Sequence, residues 1–233
     1  MVRFQLFGGT DPAQVAAADS VVVIGLGRFG AAMALELMAA GTDVLGIDRD
    51  EDTVQGLNGR LTQVVQADTT KEEALRQLSV HEFDRAVVAI GSHMEASILT
   101  TSLLLRFGVA NIWAKAVTEA HGAILEQLGT HHVVYPEKDM GRRVAHLVRG
   151  QMQDYLEIGD DFAMVKTVAH PEFVGRTLRE CEIRARYGVT VTAYKREGRP
   201  WSNTSAETVL EPGDVLLVTG PIRKAEAFGQ RVG

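Results

Sequence analysis

The sequence predicts an α/β protein: a Rossmann-like doubly wound parallel sheet followed by a small α+β domain. Three observations carry this expectation. Short β-branched runs alternate with helix-forming segments at intervals of about twenty residues as far as residue 135. Continuous apolar runs such as Val87-Val88-Ala89-Ile90 suit strands covered on both faces. A glycine turn, Gly25-Leu26-Gly27-Arg28-Phe29-Gly30, separates the first strand from the first helix.

Taken in order, Ser20 to Ile24 is the first strand and Ala31 to Ala40 the strong helix former after the turn. Thr42 to Asp48, Leu61 to Gln66, Arg85 to Ile90, Asn111 to Val117 and His132 to Tyr135 read as further strands. Helices are expected over Glu51 to Asn58, Lys71 to Leu78, Glu95 to Phe107 and Glu119 to Leu128. Pro136 opens a longer helical pattern with apolar residues at Met140, Val144, Leu147, Val148, Met152, Tyr155 and Leu156. After Gly159-Asp160-Asp161 the pattern changes: strands at Phe162 to Ala169, Val189 to Tyr194 and Val215 to Thr219, with one helix around Thr177 to Tyr187. The expected domains are an irregular extension over 1–19, a nucleotide-binding domain over 20–135, a linker helix over 136–158 and a C-terminal domain over 159–233.

The composition narrows the function. With 24 Lys+Arg against 30 Asp+Glu in 233 residues, the net charge of −6 argues against a general nucleic-acid footprint. The longest stretches without a charged residue, such as Ala96 to Leu105, fall short of the ~20 apolar residues of a membrane helix. Residues 1–11 lack the apolar core of a signal peptide, so a cytoplasmic location is expected. Cys181 is the only cysteine and reads as an inert, partly buried thiol.

The glycine turn has the context its chemistry needs. Gly25 permits the tight turn, Gly27 lets phosphates approach the backbone, and Gly30 allows close helix packing. The helix N-terminus offers unpaired N–H groups and a positive dipole end to a polyphosphate. Asp48, 23 residues after Gly25 and followed by Arg49, stands at the end of the second strand, where an acid takes ribose hydroxyls. Asp68, with Thr69 beside it, lies on the same carboxyl edge and reads equally as an acceptor for the adenine amino group or as a helix cap. Gly91-Ser92-His93 lines that edge too, with His93 as a loop residue rather than a base.

These residues, with Asn111-Ile112-Trp113-Ala114-Lys115-Ala116 and above all Tyr135-Pro136-Glu137-Lys138-Asp139-Met140-Gly141, resemble the KtrA branch of the KtrA/TrkA regulators of potassium transport. The resemblance runs from about Ser20 to the C-terminus. It implies an RCK (regulator of conductance of potassium) N-terminal lobe and a C-terminal lobe. It further implies a homodimer assembling into a homo-octameric ring that responds to ATP or ADP beneath an integral-membrane potassium-translocating subunit, at the inner face of the membrane. On the same basis Arg28 reaches the terminal phosphates, Lys115 lies near them, Asp48 binds ribose and Asp68 reads adenine. Glu137 helps hold a cation, Mg²⁺, Ca²⁺ or Na⁺, at the dimer interface, and Arg184 matches a residue that in some relatives binds cyclic di-AMP. Glu182 stands where close relatives carry Asn, and a carboxylate there would oppose that binding. Some TrkA-type relatives take NAD(H), which the same turn would serve.

The rival reading from another class is an NAD-dependent oxidoreductase, since the glycine turn and Asp48 suit NAD equally. The ~75 residues after the turn at 159 are few for a substrate domain. A kinase or ATPase would need G-x-x-x-x-G-K-[ST], which is absent. Adjacent His131 and His132 on a strand point to opposite faces and do not read as joint ligands; His81, His121 and His146 occur singly and read as surface residues. Trp113 is expected in the core or a dimer contact.

Overall fold

The computed structural model describes residues 19–148 and 152–230, so the expected extension over 1–19 lies outside the described residues but for Asp19. The chain forms two compact units, 1–137 and 138–233.

The first unit alternates strand and helix: β1 (Ser20–Ile24), α1 (Arg28–Ala39), β2 (Asp43–Asp48), α2 (Glu51–Leu57), β3 (Gln63–Gln66), α3 (Glu72–Gln77), β4 (Arg85–Val88), α4 (Met94–Phe107), β5 (Asn111–Lys115), α5 (Glu119–Gln127) and β6 (His132–Val134). The six strands pair in the order β3-β2-β1-β4-β5-β6, all parallel. Strand order reverses between β1 and β4, which leaves a crevice beyond their carboxyl ends. Val22, Ile24, Leu45, Ile47, Val88, Ile112 and Ala114 form a core on one face of the sheet, and Val21, Val23, Val44 and Val87 on the other. This explains the unbroken apolar runs: both faces of each central strand are covered.

Helix α6 (Pro136–Val148) starts at Glu137's end of the first unit, and none of its residues is buried. The expected helix does not continue to Leu156. Asp154–Ile158 is instead a strand, β7, because Tyr155 is 2% exposed while Leu156 is 54% exposed, the alternation of a half-covered sheet. The second unit therefore takes in this segment, and its compact boundary falls at residue 138 rather than near 158.

The second unit also contains β8 (Phe162–Val168), α7 (Leu178–Cys181), α8 (Ile183–Tyr187), β9 (Thr190–Lys195), β10 (Ser202–Asn203), β11 (Val215–Pro221) and α9 (Ile222–Gly229). Its antiparallel sheet runs β10-β9-β11-β8-β7. Strand β10 and helix α9 are additions to the expected elements. The single helix expected over Thr177 to Tyr187 is broken at Glu182, whose φ of 50° interrupts the helical hydrogen-bond ladder. Thr177 and Glu180 form a reciprocal capping box that fixes the start of α7.

Polar chemistry joins elements of this unit. Buried Asp214 accepts from Arg196 Nε and a terminal guanidinium nitrogen, both at 3.0 Å, and from the Glu211 N–H at 2.8 Å. Burial pushes this carboxyl up, yet the Arg196 hydrogen bonds hold it below its ordinary value. His146 is a correction to the surface reading: its ring stacks on Tyr155 with centroids 4.0 Å apart, and its Nδ1 lies 2.6 Å from Glu226.

Candidate functional site: a cleft at the glycine turn

The glycine turn is held by its neighbours on both sides. The Gly25 N–H donates to Ile47 O at 2.8 Å, and the Ala89 N–H donates to Ile24 O at 2.7 Å. Gly25 has φ 90°, and a Cβ there would sit 2.9 Å from the Ile90 nitrogen, so side chains are excluded twice over. A Cβ on Gly30 would lie 1.9 Å from the Gly25 oxygen, which makes this glycine the condition for α1 to approach the turn. Gly27 differs: no atom comes within 4 Å of its virtual Cβ. Its emptiness faces the crevice. No side chain caps α1, which leaves its first-turn N–H groups available to an anion.

Asp48 links the turn to the end of β2. One carboxylate oxygen accepts from the Leu26 N–H at 2.6 Å and the other from the Asp50 N–H at 2.9 Å. A carboxylate has about four lone-pair sites, so two remain for ribose hydroxyls. Asp68 does not cap α3, whose cap position is Lys71. It folds into its own turn, accepting from the Thr70 hydroxyl at 2.6 Å and the Thr70 N–H at 3.1 Å. The Thr70 hydroxyl bond keeps the Asp68 carboxyl below its ordinary value against the opposing effect of burial. The Thr69 hydroxyl is committed to Thr100 at 2.9 Å, inside the core.

The other end of the cleft is cationic. Lys115, 8% exposed at the end of β5, lies 5.7 Å from the centre of the Phe29 ring and 2.5 Å from a Glu137 carboxylate oxygen. Gly91 is what admits it, since a Cβ there would come 3.2 Å from the lysine nitrogen. The Lys115 hydrogen bond, with Arg28 contributing through its charge, holds the Glu137 carboxyl below its ordinary value despite some burial. At the rim, Arg49 contacts His93 Nε2, joining the loops that follow β2 and β4.

A cleft of about 1290 Å³ brings these groups together. Its lining includes Gly25, Gly27, Arg28, Phe29, Asp48, Arg49, Asp68, Thr69, Gly91, Ser92, Lys115 and Glu137 from the sequence reading, whereas Gly30 lies behind the turn. Sequence reasoning missed Asp50, Thr53, Glu95 and Leu99. Asp50 carries a legible signal, because its carboxylate caps α2 by accepting from the Thr53 N–H at 2.8 Å. Leu99, 43% exposed on α4, has none that distinguishes it from a core leucine.

The remaining candidates lie outside this cleft. Arg184 is exposed on α8 and makes no ion pair among the described residues, whereas Arg186 is 3.7 Å from Glu172 and stacks over Tyr187. Cys181 is fully buried, and burial pushes its thiol up. His121 is fully buried, contrary to the surface reading: its Nδ1 faces the Val117 N–H at 3.4 Å, and its Nε2 has no hydrogen-bond partner among the described residues. His131 accepts from the Ile112 N–H at 3.1 Å, while His132 stacks on Trp113 at 4.0 Å. Trp113 is 42% exposed, not core. Among the described residues no three metal-ligating side chains gather, and Glu137 is already neutralised by Lys115.

Comparison with known proteins places this arrangement. The TrkA-N domain model matches residues 21–136 and the TrkA-C domain model residues 162–233. Ktr system potassium uptake protein C of Bacillus subtilis is 38% identical over 90% of this chain and 96% of its own length. The chain belongs to the TrkA-N/TrkA-C family of Ktr potassium uptake proteins. Ktr system potassium uptake protein A of Vibrio alginolyticus is 36% identical over 85% of this chain and 91% of its own length. Among solved structures, the GsuK RCK domain superposes with a TM-score of 0.63 at 18% identity, over 92% of this chain and 47% of that one. That likeness shows the shared RCK fold. All of the lining residues of the cleft but Glu137 lie within the TrkA-N match, and Arg184 lies within the TrkA-C match.

Proposed function

We propose that this Ktr-family chain is a regulatory subunit of a potassium uptake system that senses adenine nucleotides in the glycine-turn cleft by binding, without converting them. The observation that carries the reading is the polarity of that cleft: acids Asp48 and Asp68 at one end suit ribose and adenine, and Arg28, Lys115 and the free N–H groups of α1 at the other suit phosphates. Arg28 serves as the discriminator, because a guanidinium at the terminal phosphate gains a contact with ATP that ADP cannot offer, and a ligand shifts an equilibrium only through such differential contacts. The subunit acts as a homodimer within an octameric ring, at the inner face of the membrane, on an integral-membrane potassium-translocating partner. A cation such as Mg²⁺, Ca²⁺ or Na⁺ would be held by nucleotide phosphates and a second copy together with Glu137. Cyclic di-AMP at Arg184 is a separate, C-terminal site in this reading.

A second reading, NAD(H) in the same cleft, is favoured by an RCK relative of similar fold, the GsuK channel, which was solved bound to NAD. Calorimetry with ATP, ADP and NADH separates the two and tests both. The proposal expects ATP to bind more tightly than NADH, Gly27→Val to abolish binding by filling the phosphate approach, and Arg28→Ala to narrow the gap between ATP and ADP. Unchanged affinities in both variants would refute the site.

A further inference from the structure

In the cleft, one anion is already present. The Glu137 carboxylate occupies Lys115, the buried cation at the phosphate end, and Arg28 adds its attraction to the same oxygen pair. We infer that Glu137 is a specificity-determining residue for the nucleotide: a resident counter-anion that a terminal phosphate must displace from Lys115, so that the cleft's preference among mono-, di- and triphosphates is set by this exchange. The inference rests on the nucleotide reading given above.

The geometry is that of a competition. Lys115 is 8% exposed, its ammonium lies 5.7 Å from the centre of the Phe29 ring, and a Cβ on Gly91 would come 3.2 Å from it. A buried ammonium keeps a partner at all times, because desolvation of an unpaired charge is costly. Glu137 is different in kind: its side chain is 64% exposed, so water can solvate it once it is released. The exchange of one anionic partner for another at Lys115 is therefore asymmetric, with the lysine always paired and the glutamate free to leave. The inferred exchange concerns the phosphates of a chain that extends from the glycine turn toward Lys115. Those nearer Lys115 meet both its attraction and the repulsion of Glu137, and the repulsion grows with each added phosphate.

Glu137 is also the last residue of the first compact unit and lies in the first turn of α6. An acid there interacts favourably with the helix N-terminus, so its release from Lys115 leaves α6 itself capped by charge. The displacement costs the helix little and reports phosphate occupancy at the residue where the chain passes from one unit to the next.

The test is calorimetric titration of the full chain and of Glu137→Gln with AMP, ADP and ATP in the presence of EDTA. Gln keeps the side chain's shape and can still accept from Lys115, but it removes the competing charge. The expected result is ATP binding roughly two- to fivefold tighter in the variant, the size expected of a partly exposed ion pair, a smaller gain for ADP and unchanged AMP. Added Mg²⁺ should close the gap, because the cation screens carboxylate from phosphate. Equal or weaker ATP binding by the variant in EDTA would overturn the exchange, as would an equal gain for AMP and ATP. If neither protein binds any of the three, the nucleotide reading falls first and this inference with it.

Discussion

Removing the Asp48 side chain should loosen the protein before any nucleotide is added. In Asp48→Ala the Leu26 N–H loses an acceptor at 2.6 Å and the Asp50 N–H one at 2.9 Å. Hydrogen bonds to a charged group contribute ~1.5–3 kcal/mol each, and this half-exposed carboxylate belongs at the low end, because water replaces part of what is lost. The expected cost is about 2–3 kcal/mol, which for a chain of this size lowers the melting temperature by roughly 5–10 °C. The assay is differential scanning fluorimetry on nucleotide-free protein, followed by calorimetry with ATP. The free lone pairs of Asp48 make a second expectation: ATP affinity falls beyond what the weaker fold explains, and Asp48→Asn, which keeps one acceptor, falls between. A nucleotide-free melting temperature within about 1 °C of the parent would refute the claim that Asp48 pins the turn.

Two further predictions concern groups outside the cleft. Burial lowers the pKa of His121 from its ordinary 6.5, so the folded state resists a proton that the unfolded chain accepts. Stability is then full above 6.5 and is lost as pH falls toward the lowered folded value, by at most ~1.4 kcal/mol per pH unit; urea midpoints at about pH 7.5 and 5.5 should differ more in the parent than in His121→Gln. Asp214→Asn weakens the hydrogen bonds between a buried carboxylate and the partly exposed Arg196 and should cost about 2 kcal/mol, because hydrogen bonds to a charged group contribute ~1.5–3 kcal/mol and Arg196 keeps Glu211 at 2.7 Å. Urea denaturation followed by circular dichroism checks it, and a loss under about 1 kcal/mol would show that Asp214 is replaceable.

How much of this was legible in the sequence depends on whether the signal was local. The central strands β1, β2 and β4 and the glycine turn were, because burial on both faces writes apolar runs into the chain, and the turn needs glycine for steric reasons at Gly25 and Gly30. Strand β7 was not: Met152, Tyr155 and Leu156 fit a helical spacing as well as an alternating one over so few residues. The break at Glu182 left no trace either, since left-handed backbone is usually announced by Gly or Asn. In the cleft, residue identities were readable and their partnerships were not. The contact between Lys115 and Glu137 spans 22 residues and is made by the ends of β5 and α6, a matter of tertiary placement. The burial of His121 likewise had no pattern to reveal it.

The chain contains two tryptophans, and the fold distributes them one to each compact unit: Trp113 on β5 and Trp201 beside β10. Both are about two-fifths exposed, at 42% and 40%. Trp113 also lies flat against the His132 ring, with 20° between the planes. Indole emission is sensitive to what lies against the ring, so the first unit carries a built-in optical probe whose brightness follows the integrity of this stack. Trp201→Phe would leave Trp113 as the sole emitter, and the unfolding of the nucleotide-cleft unit could then be timed by light alone, separately from that of its C-terminal companion.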